Sequence, residues 1–177
     1  MKNILIGFIF IFLDFNLNLG NSKIGLIPDF IGYITMISGL DELAGESSLF
    51  MKLKPYATGM AVYSFILYIL DLIGMSVSLG SLTFILAIVS TAVSLYISYN
   101  IVMGVIEMEG KYNTSLNGDS LKSTWTLLAV FNILIFMSLL IPAVSIILIL
   151  ISIIIVICFL LAFNNSKNLY YEKVENN

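Results

Sequence analysis

The stretch from Leu121 to Phe163 is apolar almost throughout and holds one proline, Pro142. As a single helix it would be roughly 60 Å long, twice the hydrocarbon core of a bilayer. It therefore has to turn. Pro142 marks the place, because proline lacks an amide hydrogen and suits the first turn of a new helix. The rest of the chain is of the same kind. Of 177 residues, 59% are apolar and 11% charged, and the mean hydropathy is +1.04. A soluble domain carries about 25% charged residues. With so few charges there is too little polar surface to coat a globule, so most of the solvent has to be lipid.

Searching for apolar runs of about 20 residues yields six expected spans. They cover residues 3–19, 28–43, 55–74, 82–108, 121–140 and 142–163, and a polar tail follows over 164–177. The expected fold class is all-α, a polytopic integral membrane helical bundle forming one membrane domain. Phe12-Leu13-Asp14-Phe15 and Ile69-Leu70-Asp71-Leu72 are similar, with Phe131-Asn132-Ile133 as a neutral counterpart. That faint repeat suggests three helical hairpins in series. The tail is expected to be loosely ordered, and Leu49, Phe50 and Leu53 to form a short interfacial helix before the third span.

Orientation follows from the lysines. With six spans, Lys2, Lys52, Lys54, Lys111, Lys122, Lys167 and Lys173 share one side, and only Lys23 lies opposite. Cytoplasmic loops are enriched in lysine, which places both termini in the cytoplasm. Met1-Lys2-Asn3 followed by Ile4–Leu13 resembles the start of a signal peptide. No small-x-small cleavage site follows, so this segment is expected to remain as the first helix.

The composition also excludes chemistry. The chain has no His, Arg or Gln and a single cysteine, Cys158. That removes imidazole catalysis, the usual zinc sets, a disulfide framework and Arg-based phosphate recognition. A formal charge of −3 argues against nucleic acid as a partner. No phosphate loop, partnered nucleophile or metal-spaced cluster is present, so no cofactor is expected. The expected partners are the lipid bilayer and either a second copy or another membrane protein.

Ionisable groups in lipid cost roughly 2.5–3.5 kcal/mol on insertion scales, so each needs a reason. Asp14, Asp29 and Asp71, with Asn16 and Asn132, form the candidate polar or ion site. Their functional reading is a proton or cation site. For Asp29 the structural reading is an acid after Pro28, complementing a helix N-terminus. Asp71 near Gly74 reads equally as an interfacial residue, and Asp14 as a partner of Lys23 or of a neighbouring helix. Ala87, Thr91, Ser94 and Ser98 make a small-residue stripe at spacings of four, three and four, suited to close helix packing. Ala57-Thr58-Gly59-Met60-Ala61 reads the same way. Asn132 is expected to bond between helices, and Cys158 to behave as a small apolar residue.

The N-terminal quarter carries the only distinctive wording. It reads Phe12-Leu13-Asp14-Phe15-Asn16, then Ile24-Gly25-Leu26-Ile27-Pro28-Asp29-Phe30-Ile31-Gly32-Tyr33-Ile34, then Ser38-Gly39-Leu40. Over about residues 5–45 this resembles a group of small uncharacterised multi-pass membrane proteins of clostridia and bacilli. The resemblance implies a bacterial plasma-membrane protein and supplies no activity. Two functional expectations result. The leading one is a non-enzymatic structural or accessory membrane component. The alternative is a small transporter or channel using intramembrane carboxylates.

Overall fold

The structure, a computed structural model, describes residues 1–12, 16–19, 22–25, 28–74, 81–138 and 141–175. Six helices follow in order: α1 (Lys2–Phe12), α2 (Asp29–Glu42), α3 (Ser48–Leu72), α4 (Ser81–Tyr112), α5 (Gly118–Ser138) and α6 (Pro142–Glu175). A two-stranded antiparallel ribbon, β1 (Asn16–Leu19) and β2 (Ser22–Gly25), joins α1 to α2. The fold is thus a helical membrane fold with one short ribbon. The four helices α3 to α6 are long and apolar enough to cross a bilayer. Helix α1, with 11 residues, extends about 17 Å, and α2, with 14, about 21 Å. Both fall short of a core roughly 30 Å thick. The chain divides into two compact units, residues 1–97 and 98–177, with the boundary inside α4.

Three segments differ from the expected boundaries. The helix expected over 3–19 ends at Phe12, and residues 16–19 pair with 22–25 instead. The reason lies in Asn16-Leu17-Asn18-Leu19, whose polar-apolar alternation has the period of a strand, followed by Gly20-Asn21, a hairpin dipeptide. Helix α3 starts at Ser48, so the expected interfacial helix is its first turns and Pro55 lies inside it. Ser47 caps that start by accepting a bond from the Leu49 amide at 3.1 Å, and Phe50 and Leu53 are buried. Finally, residues 164–175 are the continuation of α6 rather than a loose tail. Phe159, Phe163, Ser166 and Tyr170 are all buried at spacings of four, three and four, a stripe that holds this polar end helical.

In the first unit, α1 and α2 approach backbone to backbone. A Cβ placed on Gly7 would stand 2.8 Å from the Gly32 carbonyl oxygen, and one on Gly39 would stand 2.7 Å from the Ile4 amide nitrogen. Glycine removes the side chain that would keep the two axes apart. At the lysine-bearing end, the Asn3 amide donates to the Glu42 carboxylate and to Ser38 Oγ. Lys54 pairs with Asp41 at 2.5 Å, a half-exposed bridge that adds little stability. At the other end of α2, the Phe30 ring meets Phe65 at 5.2 Å and Tyr68 at 5.6 Å on α3. These contacts fix α2 antiparallel to α3.

In the second unit, α5 and α6 form a hairpin, and Pro142 opens α6 as expected. Large apolar side chains elsewhere are exposed, among them Ile146, Leu150 and Ile154. In lipid such exposure carries no penalty.

A Gly39→Ala substitution is expected to lower stability by about 1–3 kcal/mol, because the new methyl meets backbone atoms that cannot yield. Gly59, with nothing within 4 Å of its Cβ position, should accept alanine with no loss. Thermal unfolding of both variants in detergent checks the contrast.

Candidate functional site: polar groups among the helices

Asp29 opens α2 directly after Pro28, whose extended backbone (φ −67°, ψ 132°) starts the helix. Its Oδ1 atom is buried, and Tyr33 follows one turn further on. Tyr33 is only 3% exposed and shares a side-chain hydrogen bond with Ser94 of α4, with Tyr63 of α3 also close by. Tyr63 in turn donates to the Leu86 carbonyl oxygen of α4 at 3.3 Å. Asp29, Tyr33, Tyr63 and Ser94 therefore gather on three adjacent helices of the first unit. Asp71, half-buried, lies one turn beyond Tyr68 on α3, next to the helix end where Gly74 (φ +71°) caps the chain. A carboxylate at a helix C-terminus opposes the dipole. Asn16 sits in β1 opposite Gly25, and Asp14 lies outside the described residues.

The α4 stripe is half-buried at Ala87, Thr91 and Ser94 and fully buried at Ser98. Its serine hydroxyls receive rings rather than a neighbouring backbone. Ser94 holds Tyr33, and in the second unit Ser98 accepts from the Trp125 indole at 2.9 Å. Tyr99 packs on the same indole, with ring centroids 4.7 Å apart. The closest backbone packing occurs between α1 and α2, α2 and α3, and α5 and α6. Ala57 and Ala61 are buried as the small-residue spacing suggests, whereas Gly59 faces open space.

Other polar side chains return to their own helices. The Asn132 amide donates to the Leu128 carbonyl at 2.9 Å. The Ser64 and Ser152 hydroxyls donate to Met60 and Ile149. At the turn between α5 and α6, the Ser145 hydroxyl donates to the Ser138 carbonyl at 2.7 Å, and the two hydroxyls lie 3.1 Å apart.

Outside the apolar segments, the α4–α5 connection forms an open polar cleft of about 610 Å³, lined by Glu109, Asn113, Thr114, Ser115, Asn117 and Asp119, among others. Glu109 is occupied here. Its Oε1 accepts from the Leu116 amide at 2.6 Å and the Gly118 amide at 2.9 Å, capping α5. A Cβ on Gly118 would lie 2.5 Å from the other carboxylate oxygen, so any larger residue there would displace the Glu109 side chain. Asn117, in the left-handed region at φ +68°, donates from its amide to the Ala162 carbonyl of α6 at 3.2 Å. Among the described residues no group of three or more acidic or cysteine side chains is placed to hold a metal. The expected site residues thus separate, with Asp29 and Asp71 in one unit and Asn132 in the other.

Tyr33, Trp125 and Glu109 were not singled out as site residues from sequence.

Fold and polar groups together define a polytopic α-helical membrane protein. No protein-family model, curated protein or solved structure matches the chain.

Glu109→Ala leaves two helix-start amides without their acceptor and is expected to cost about 2–3 kcal/mol, measured by unfolding in detergent. A double-mutant cycle of Tyr33→Phe and Ser94→Ala should return a coupling of about 1 kcal/mol, and its absence would show that the contact contributes nothing.

Proposed function

We propose that the chain is a non-enzymatic structural or accessory component of a bacterial plasma membrane, packing against a second copy or another membrane protein. One observation carries this reading. Among the described residues, several polar groups within the long helices bond to their own backbones or to rings of neighbouring helices, as Asn132 does to Leu128, Ser98 to Trp125 and Ser94 to Tyr33. Groups used in this way brace a bundle rather than line a path. The likeness to the clostridial and bacillar group agrees with a plasma-membrane location. Termini in the cytoplasm are supported by the lysines within each unit. Lys2, Lys52 and Lys54 gather at one end of the first unit, and Lys111, Lys122, Lys167 and Lys173 at one end of the second. A short α1–α2 pair returns the chain to its starting side whether or not it crosses, so the parity is unchanged.

The second reading, proton or cation passage, draws on Asp29, a carboxylate placed well along the transmembrane direction of α3. Purified protein in liposomes separates the two. The expected result is proton and potassium flux no greater than through empty vesicles. Flux that disappears in Asp29→Asn or Asp71→Asn while the fold persists would establish the transport reading. Reporter fusions after Ser78 and after Lys111 should give opposite sidedness, with the Lys111 fusion cytoplasmic; the same side for both would overturn the orientation.

A further inference from the structure

Two contacts measure how deep the α1–α2 pair reaches. Asp41, near the end of α2, is held at Lys54, where the apolar part of α3 begins. Phe30, at the start of α2, is held at Phe65 and Tyr68. From Lys54 to those rings α3 rises about 17–21 Å, so a core of about 30 Å continues roughly 10 Å further. Helix α1 ends at the same level, since Gly32 lies against Phe10 and Ile11. The ribbon, which follows α1 and precedes α2, extends from that level. Its four-residue strands are about 13 Å long, and β2 runs along α3.

A two-stranded ribbon turns about half of its amides and carbonyls away from its partner strand. A helix such as α3 has no free backbone groups with which to pair them. In hydrocarbon each such group costs several kcal/mol, and open strand edges facing lipid do not occur there. We infer that the part of the membrane beyond α1 and α2, on the side opposite the N-terminus, is filled by water rather than lipid. It is an aqueous indentation walled by α3, holding the β1–β2 ribbon and floored by the first turn of α2. Water and small hydrated ions are its occupants, and they reach the level of Asp29 near the middle of the bilayer. The inference stands apart from the functional reading above, since a bracing protein and a transporter can each carry such an indentation.

Cysteine accessibility tests it. In a Cys158→Ala background, Leu17→Cys and Ile24→Cys place a thiol on each strand. Ile66→Cys places one on an exposed part of α3 at the level where α2 begins, the floor of the indentation. The probe is a membrane-impermeant, positively charged methanethiosulfonate added to proteoliposomes from either side, each variant first shown to keep the parent's thermal midpoint. The expected result is modification at Leu17→Cys or Ile24→Cys from the side opposite the N-terminus, at least about tenfold faster than at Ile66→Cys, because the charged probe avoids lipid. Equally slow labelling at all three would overturn the inference, since lipid or a bound neighbour would then cover the ribbon. Equally fast labelling would also overturn it, meaning that the bilayer is thinned around the whole unit.

Discussion

In hydrocarbon, every backbone amide and carbonyl has to find its partner inside the protein. Most features of this molecule answer that demand. Helices answer it along the spans, and the places where a helix starts or stops receive specific residues. Pro28 and Pro142 stand where a helix begins and an amide would otherwise have no acceptor. Ser145 reaches back to the Ser138 carbonyl at the α5–α6 turn, and outside the apolar segments Glu109 supplies two bonds at the start of α5. Hydroxyls within the helices bond to carbonyls three or four residues earlier, which satisfies a polar side chain in a medium that offers no other partner.

Lipid tails are as apolar as leucine, so hydrophobic burial does little to bring helices together. Two other devices do so here. Glycine brings α1 and α2 into direct backbone contact, which multiplies weak dispersion contacts along both helices. Helix α4 relies on the opposite geometry, with Tyr33, Tyr63 and Trp125 projecting to it and ending in directional hydrogen bonds. Small residues serve both arrangements, in one case by their absence of bulk and in the other by their hydroxyl groups.

That double use explains what could be read from sequence. The four long helices were legible because run length alone specifies them, and so was the turn at Pro142. The alternation in Asn16-Leu17-Asn18-Leu19 was present, but hydropathy averaged over a span conceals a period of two. The helical end of α6 depends on Phe163, Ser166 and Tyr170 finding neighbours, which a polar composition over 164–175 does not reveal. At the candidate site, the polar residues could be named from sequence, but their partners could not. Ser94 and Ser98 form a visible stripe, yet whether a stripe admits a backbone or a ring depends on the facing helix. Asn132 was expected to bridge helices and instead bonds to Leu128 on its own.

The membrane portion of α6 is aliphatic on nearly every side, with Ile146, Ile149, Ile153, Ile154 and Ile157 all exposed. A cylinder so uniform has almost no preferred azimuth in a fluid of hydrocarbon chains. What orients it is contact with protein, along a buried stripe of Ser145, Ile155, Phe159, Phe163 and Tyr170 that begins at Ser138 of α5 and ends where Tyr112 meets Tyr170 at 6.3 Å. The rotational setting of this transmembrane segment is therefore held from both ends, by Ser145 against Ser138 and by Tyr170 against Tyr112, while its wide aliphatic face contributes nothing to it.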